Sequence, residues 1–225
     1  MAEMRGEDAH HLARVLRAQP GQVYEISDGQ AAYLAEIAEA RPALVSFRVL
    51  EPVESKTPPV RVTLCAALIK FDRFEWLVEK ATELGVARIV PVETTRSEKG
   101  LFEAAHKRME RWVRVARESS QQSRRLAVPE IAAPVRFETS LATAAGFRYF
   151  LEEGTAPPLG KLLPQERTPG AEAAFLLGPE GGWTDAERQG AASAGWLAAS
   201  LSPQVLRAET AAIAALAILM NAWMP

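Results

Sequence analysis

Two stretches near the C-terminus combine residue types that could hold a ligand. They are Leu176-Leu177-Gly178-Pro179-Glu180-Gly181-Gly182-Trp183 and Leu201-Ser202-Pro203-Gln204-Val205-Leu206-Arg207-Ala208-Glu209-Thr210-Ala211-Ala212. Each joins an apolar run to a turn and then to a helix start, where backbone N–H groups lack intrahelical partners and can face a bound molecule. Glycine in the first stretch permits close approach of backbone to ligand. That stretch has neither the Gly-Lys-Ser/Thr of a Walker A loop nor a G-x-G-x-x-G fingerprint. Taken alone it is equally an ordinary strand-to-helix turn. In the second stretch Arg207 and Glu209 stand two apart at a helix start, where they could hold an amine, a carboxylate or an RNA base. A surface ion pair beside a capped helix has the same pattern.

The elements that must position these motifs can be read from periodicity. Residues 60–68, 88–92, 147–151, 173–177 and 196–201 read as strands, and residues 72–84, 104–122, 185–194 and 209–224 as helices. Apolar runs alternating with helices predict an α/β layer on a mostly parallel sheet. Thr184 and Glu187 fit the N-cap and N3 positions of a capping box, and Gly85 and Gly195 stop two of the helices. Upstream, residues 9–17 read as a short helix and residues 23–26, 32–37 and 44–50 as strands, with Asp28-Gly29 as a hairpin turn. Residues 51–59, proline-rich and unpatterned, read as a linker. The expected domains are therefore a small β-rich unit over residues 1–53 and an α/β unit over 60–225.

Composition narrows the partners. A net charge of −2 gives no global sign of a polyanion partner. Residues 106–125 nevertheless hold seven basic residues (Lys107, Arg108, Arg111, Arg114, Arg117, Arg124, Arg125) against Glu110 and Glu118, a candidate phosphate-facing patch. Cys65, the single cysteine, sits in an apolar run and reads as a buried thiol in a reducing compartment. The N-terminus is too charged for a secretory signal, and the apolar run at residues 208–224 carries Glu209 and Asn221 and falls short of a membrane span. A soluble, cytoplasmic protein with no membrane partner is expected. No grouping of Cys, His and carboxylates suggests a metal.

Taken together, the two C-terminal stretches resemble the RsmE family of 16S ribosomal RNA uridine-N3 methyltransferases, of the SPOUT superfamily. The resemblance extends upstream in order. His10-His11-Leu12-Ala13-Arg14-Val15-Leu16-Arg17 and Asp28-Gly29 are similar to the family's N-terminal PUA-like barrel, and Trp76-Leu77-Val78-Glu79-Lys80-Ala81-Thr82-Glu83-Leu84-Gly85-Val86 to its first α/β helix. Thr95-Arg96-Ser97, residues 118–125 and Val128-Pro129-Glu130 match further segments. The implied fold is a SPOUT-type α/β methyltransferase domain with a parallel sheet and a trefoil-knotted C-terminus, preceded by the PUA-like domain. Four departures stand out. Only nine residues precede His10, where the family carries a further strand, so the barrel is expected to be incomplete or the chain start displaced. Lys70-Phe71-Asp72-Arg73 replaces Lys-Gly-Asp-Lys. Arg124 stands where glycine is usual, and Trp183 where phenylalanine is usual, keeping an aromatic wall.

The resemblance implies S-adenosylmethionine (SAM) as methyl donor, in a pocket lined by Leu177, Gly178, Pro179, Gly181, Gly182, Leu201, Leu206, Thr210 and Ala211. Glu152 would reach the ribose hydroxyls, or else is a solvated loop acid. Uridine N3 must lose a proton before it can attack the methyl group. With His10, His11 and His106 outside the expected pocket, Arg207 is assigned to stabilise the developing uridine anion, and Glu209 to position Arg207 or accept the proton, unless it only caps its helix. Phosphate contacts are expected from Arg14, Arg17, Arg96 and Arg125, with the basic helix beside them, and His10, His11 and Trp76 are expected in packing roles. The partner would be 16S rRNA or the 30S subunit. Residues 209–224, apolar on nearly every side, suggest a homodimer interface. Two other readings stay open: a SPOUT enzyme methylating ribose 2′-oxygen, and a non-catalytic rRNA-binding assembly factor.

Overall fold

Along the first strands, apolar side chains recur with a period of two, and this sets the architecture of the N-terminal unit. In the computed structural model, which describes residues 1–54, 57–154 and 156–224, the chain separates into units Met1–Thr57 and Pro58–Pro225. The first contains β1 (Ala2–Arg5), α1 (Gly6–His10), which runs on into a wider π-helical turn at His11–Val15, and β2 (Val23–Ser27), β3 (Ala32–Arg41) and β4 (Leu44–Val53). The strands form an antiparallel sheet in the order β1-β4-β3-β2. Ala35 and Ile37 on β3 and Val45 and Phe47 on β4 bury one face against Ala9 and Leu12.

Three expectations for this unit change. Residues 2–5 supply a strand ahead of the His10 helix, paired with β4 from Ala2↔Phe47 to Arg5↔Leu44. Glu51, Pro52 and Val53, read as linker, instead pair with Leu34, Tyr33 and Ala32. β1 reaches only Leu44–Phe47 of β4, so Pro52 lies where β4 has an open edge, the setting in which sheets tolerate proline. The linker residues Ser55 and Lys56, and Pro225 at the end of the second expected domain, lie outside the described residues. His10 and His11 are exposed, leaving the packing to Ala9 and Leu12.

In the second unit, β5 (Val60–Ala67), α2 (Phe71–Glu83), β6 (Arg88–Glu93), α3 (Leu101–Ala105), α4 (Met109–Gln122), β7 (Glu130–Ile131), β8 (Val135–Arg136), α5 (Phe137–Ser140), β9 (Phe147–Leu151), α6 (Leu159–Leu162), β10 (Ala171–Leu177), α7 (Asp185–Ser193), β11 (Leu197–Ala199) and α8 (Ala208–Trp223) follow in order. All strand pairs are parallel, in the order β11-β9-β10-β5-β6-β7, with β8 also on β6. Alternate side chains of the central strands go to opposite faces, as the pleat requires. Val62, Leu64, Tyr149 and Phe175 pack with Phe74, Leu77, Trp112, Ala212 and Leu216 of α2, α4 and α8. Cys65, Phe150, Ala174 and Leu176 pack on the other face with Phe137, Trp183, Ala191 and Trp196. Helices on both faces explain why β5 and β10 are almost continuously apolar.

Cys65 is fully buried, with Sγ 3.4 Å from Thr143 Oγ1, and burial pushes its thiol pKa up to about 11. It is a core side chain with little thiolate character. Trp76, read as core, is instead 43% exposed on α2. The helix expected over residues 104–122 tightens into a 3-10 turn at His106–Arg108, which separates α3 from α4. Among the described residues no helix is long and apolar enough to cross a membrane.

Candidate active site

A cavity of about 260 Å³ opens where β9 and β10 end and the segment after β11 turns into α8. This is the carboxyl edge of a parallel sheet, where strand ends leave a crevice for ligands. Leu151 and Glu152 come from the end of β9, and Leu177, Gly178, Pro179, Glu180, Gly182 and Trp183 from the loop after β10. The opposite wall is Leu201, Ser202, Gln204, Val205, Leu206, Arg207, Ala208 and Ala211. The two stretches singled out from sequence therefore face one another across one cavity.

Local chemistry shapes the first wall. Trp183 donates from Nε1 to the Leu151 carbonyl at 2.9 Å and stacks on Phe150 with ring centroids 4.5 Å apart. The indole lies against Gly178: a Cβ there would sit 2.9 Å from Trp183 Cε2, so only glycine fits. Gly182 has φ +67° and donates its N–H to the Pro179 carbonyl at 2.9 Å, closing the turn. The helix that follows is capped as expected. Glu187 N donates to Thr184 Oγ1, while Glu187 Oε2 accepts from the Thr184 N–H and hydroxyl. Glu187 Oε1 also accepts from the Thr95 N–H at 2.9 Å. Burial raises the Glu187 pKa, but these hydrogen bonds from Thr184 and Thr95 outweigh it and hold the carboxyl below its ordinary value.

Charged pairs brace the rim. Arg73, in the first turn of α2, pairs with Glu180, and Arg188 on α7 pairs with Glu152 and with Asp185. The hydrogen bond to Glu152, followed by the other charges, raises the Arg188 pKa. Arg96 Nη1 donates to the Gly181 carbonyl at 2.8 Å. On the second wall Arg207 is the N-cap of α8 and is exposed, whereas Glu209 in the first turn is only 8% exposed. Glu209 Oε2 has no hydrogen-bond partner, and among the described residues no ion pair joins it to Arg207. An unpartnered buried carboxylate oxygen carries a desolvation cost that a nearby donor would relieve.

Comparison with known proteins bears on what such a crevice holds. Residues 56–220 match the RNA methyltransferase domain family, and residues 5–50 the RNA methyltransferase PUA domain family. Ribosomal RNA small subunit methyltransferase E of Synechocystis is 36% identical over 92% of this chain and 69% of its own length, and that of Aquifex aeolicus is 31% identical over 97% and 93%. The chain belongs to this family. Among solved structures, RsmE of Neisseria gonorrhoeae bound to SAM superposes with a TM-score of 0.87 at 28% identity, covering 99% of this chain and 92% of that one. A Legionella pneumophila protein in complex with SAM gives 0.86 at 29%, covering 98% and 91%. The chain is thus an RNA methyltransferase with a SPOUT-type α/β domain and a PUA domain.

Of the residues that the RsmE resemblance assigns to cofactor, Glu152, Leu177, Gly178, Pro179, Gly182, Leu201, Leu206 and Ala211 line the cavity, as does Arg207. Gly181, Thr210 and Glu209 do not: the Gly181 carbonyl is turned to Arg96, Thr210 is exposed, and Glu209 is buried. The sequence reading missed the lining side chains Glu153, Glu180, Arg188, Ser202, Gln204 and Val205. Ser202, Gln204 and Val205 lay inside a stretch already quoted, but nothing in their spacing set them apart from loop residues. Arg14 and Arg17 are exposed in the N-terminal unit. Arg125, expected on phosphate, instead donates to the carbonyls of Thr82 and Val86 at 2.7 and 2.8 Å, closing the end of α2, and burial lowers its pKa. Within the basic helix Arg111 is paired with Glu75, and Arg108 lies over Phe71.

Proposed function

We propose that this protein transfers a methyl group from SAM to N3 of a uridine in 16S rRNA of the small ribosomal subunit. The observation that carries the reading is the convergence of the 178–183 loop and the 201–211 segment on one crevice, in a chain of the RsmE family. The crevice suits the cofactor: Gly178 and Gly182 let backbone approach an adenine edge, Leu177, Leu201, Leu206 and Ala211 enclose apolar surface, and Glu152 stands where a ribose hydroxyl could bond. Bound there, SAM would supply an electrophilic methyl carbon on sulfonium.

The rest of the chemistry falls to the chain. A displacement at carbon needs the nucleophile held in line and water excluded, which the apolar side chains of Leu177, Leu201, Leu206 and Ala211 favour. Uridine N3 gives up its proton, to the Glu209 carboxylate or to water, before it attacks, and the resulting negative charge spreads onto the base oxygens until the methyl group is transferred and S-adenosylhomocysteine leaves. Arg207, exposed on the wall opposite the glycine-rich loop, stabilises that charge. Glu209, buried two residues further on with a free oxygen, positions Arg207 once substrate is bound. Arg14, Arg17 and Arg96 contact phosphates, and the RNA-binding and methyltransferase domains correspond to the units Met1–Thr57 and Pro58–Pro225. The trefoil threading of the C-terminus belongs to the same reading. Ile218, an apolar side chain left 36% exposed on α8, supports a homodimer through this helix. Action on ribosomal RNA implies the cytoplasm.

Arg207→Ala tests the assignment. It should retain SAM affinity and lose turnover by about 10²- to 10³-fold, the usual cost of removing one donor to a developing anion. Undiminished turnover would remove Arg207 from the chemistry.

A further inference from the structure

The turn at residues 94–97 reaches the glycine-rich loop at Gly181 and the following helix α7 at Glu187. It is closed on itself, with Ser97 N donating to the Thr94 carbonyl at 3.1 Å and Thr94 N to Ser97 Oγ at 3.2 Å. From this fixed turn the Thr95 N–H bonds Glu187, which is 4% exposed, and Arg96 Nη1 bonds the Gly181 carbonyl. Gly181 is packed on Arg96: a Cβ there would lie 3.2 Å from Arg96 Cβ. The cavity takes Gly178, Pro179, Glu180 and Gly182 as lining, so the one loop residue turned away from it is the one Arg96 holds. Arg96 is exposed, and a guanidinium carries five N–H donors, so donors remain for a second acceptor.

We propose that Arg96 is a positioning residue that couples RNA binding to cofactor binding, by holding an RNA phosphate and the Gly181 carbonyl on one guanidinium. The inference rests on the RNA and SAM reading above. The target base must enter the crevice beside the 178–182 loop, which brings its flanking phosphates to the rim where Arg96 stands. The Arg96 guanidinium is exposed to solvent on one side while its Nη1 holds the Gly181 carbonyl on the other. A phosphate that fixes the guanidinium leaves less ordering for the second ligand to complete, which is positive coupling without a change of fold. Coupling is reciprocal, so SAM must tighten RNA by the same factor.

The test uses labelled S-adenosylhomocysteine, which cannot donate a methyl group, in equilibrium dialysis against the full chain with and without unmethylated 30S subunits. Wild type should bind it about fivefold or more tightly in the presence of the subunit, the lower end of common coupling factors. R96A should lose that tightening, and R96K, which keeps one cationic donor group, should retain part of it. G181A, whose Cβ pushes Arg96 aside from the other direction, should lose it too. Tightening in R96A equal to that of wild type overturns the proposal, as does a wild type that methylates 30S subunits yet shows no tightening. A wild type that neither binds the nucleoside nor methylates contradicts the functional reading itself, a result distinct from either.

Discussion

Arg124 sits at φ +53°, in the left-handed region that a side chain with Cβ enters at a cost. It follows α4 at the place where the family resemblance puts glycine, and its N–H donates to the Gln121 carbonyl as a helix stop does. Arg124→Gly should therefore raise the unfolding free energy by about 1 kcal/mol, read as a higher urea midpoint with unchanged slope. Trp183 is the converse case, a departure with a compensating contact. Trp183→Phe keeps the ring on Phe150 but loses the bond to the Leu151 carbonyl, at about 1 kcal/mol. Gly178→Ala must displace the indole, and SAM affinity should fall at least tenfold by calorimetry, whereas unchanged affinity would show that the wall yields. Both departures were visible in the sequence as unusual residues. The acceptor of the Trp183 N–H was not, because Leu151 lies 32 residues away in the chain.

At the scale of elements, α7 depends on one carboxylate with two duties. Glu187 closes the capping box with Thr184, legible from the Thr-x-x-Glu spacing, and also receives the Thr95 N–H, which no local pattern announces. Its pKa in the fold is lower than the ordinary 4.5, so its stabilisation is fully present above that value and is lost as pH falls through the lower folded value. Acid unfolding of wild type should accordingly steepen below about pH 4.5, and Glu187→Gln should be less stable at pH 7 with a flatter acid limb. An unaltered limb would mean that the carboxylate is equally comfortable unfolded. The long strands and helices were readable because β5 and β10 are buried on both faces and α2 is amphipathic. Two-residue β7 and β8 and four-residue α5 and α6 are too short to show a period. The break at His106–Arg108 has no proline or glycine to mark it, and Trp76 shows that an aromatic at helical spacing can face solvent.

At the scale of the molecule, each unit has its own core. Residues 58–225 hold two apolar clusters on either face of the parallel sheet, and the N-terminal unit buries a smaller set around Phe47 and Ile37. All residues lining the candidate cavity belong to the second unit. A fragment spanning 58–225 should thus fold and bind SAM within about threefold of the full chain, since no lining residue is removed, while its affinity for 30S subunits drops at least tenfold. Equal RNA affinity would leave the PUA domain without a part in recognition. Two strand-to-helix turns in one chain already suggest one pocket, and the family resemblance makes the pairing of the two loops across one crevice specific. Nothing in either stretch by itself says that the ends of β9, β10 and β11 bring them face to face.

The most direct measurement is to incubate the purified full chain with methyl-labelled SAM and unmethylated 30S subunits, digest the 16S rRNA to nucleosides, and locate the label. Label on N3 of a single uridine is the expected result, with its yield collapsing in Arg207→Ala. Label on a ribose 2′-oxygen, or tight subunit binding with no transfer at all, would contradict it.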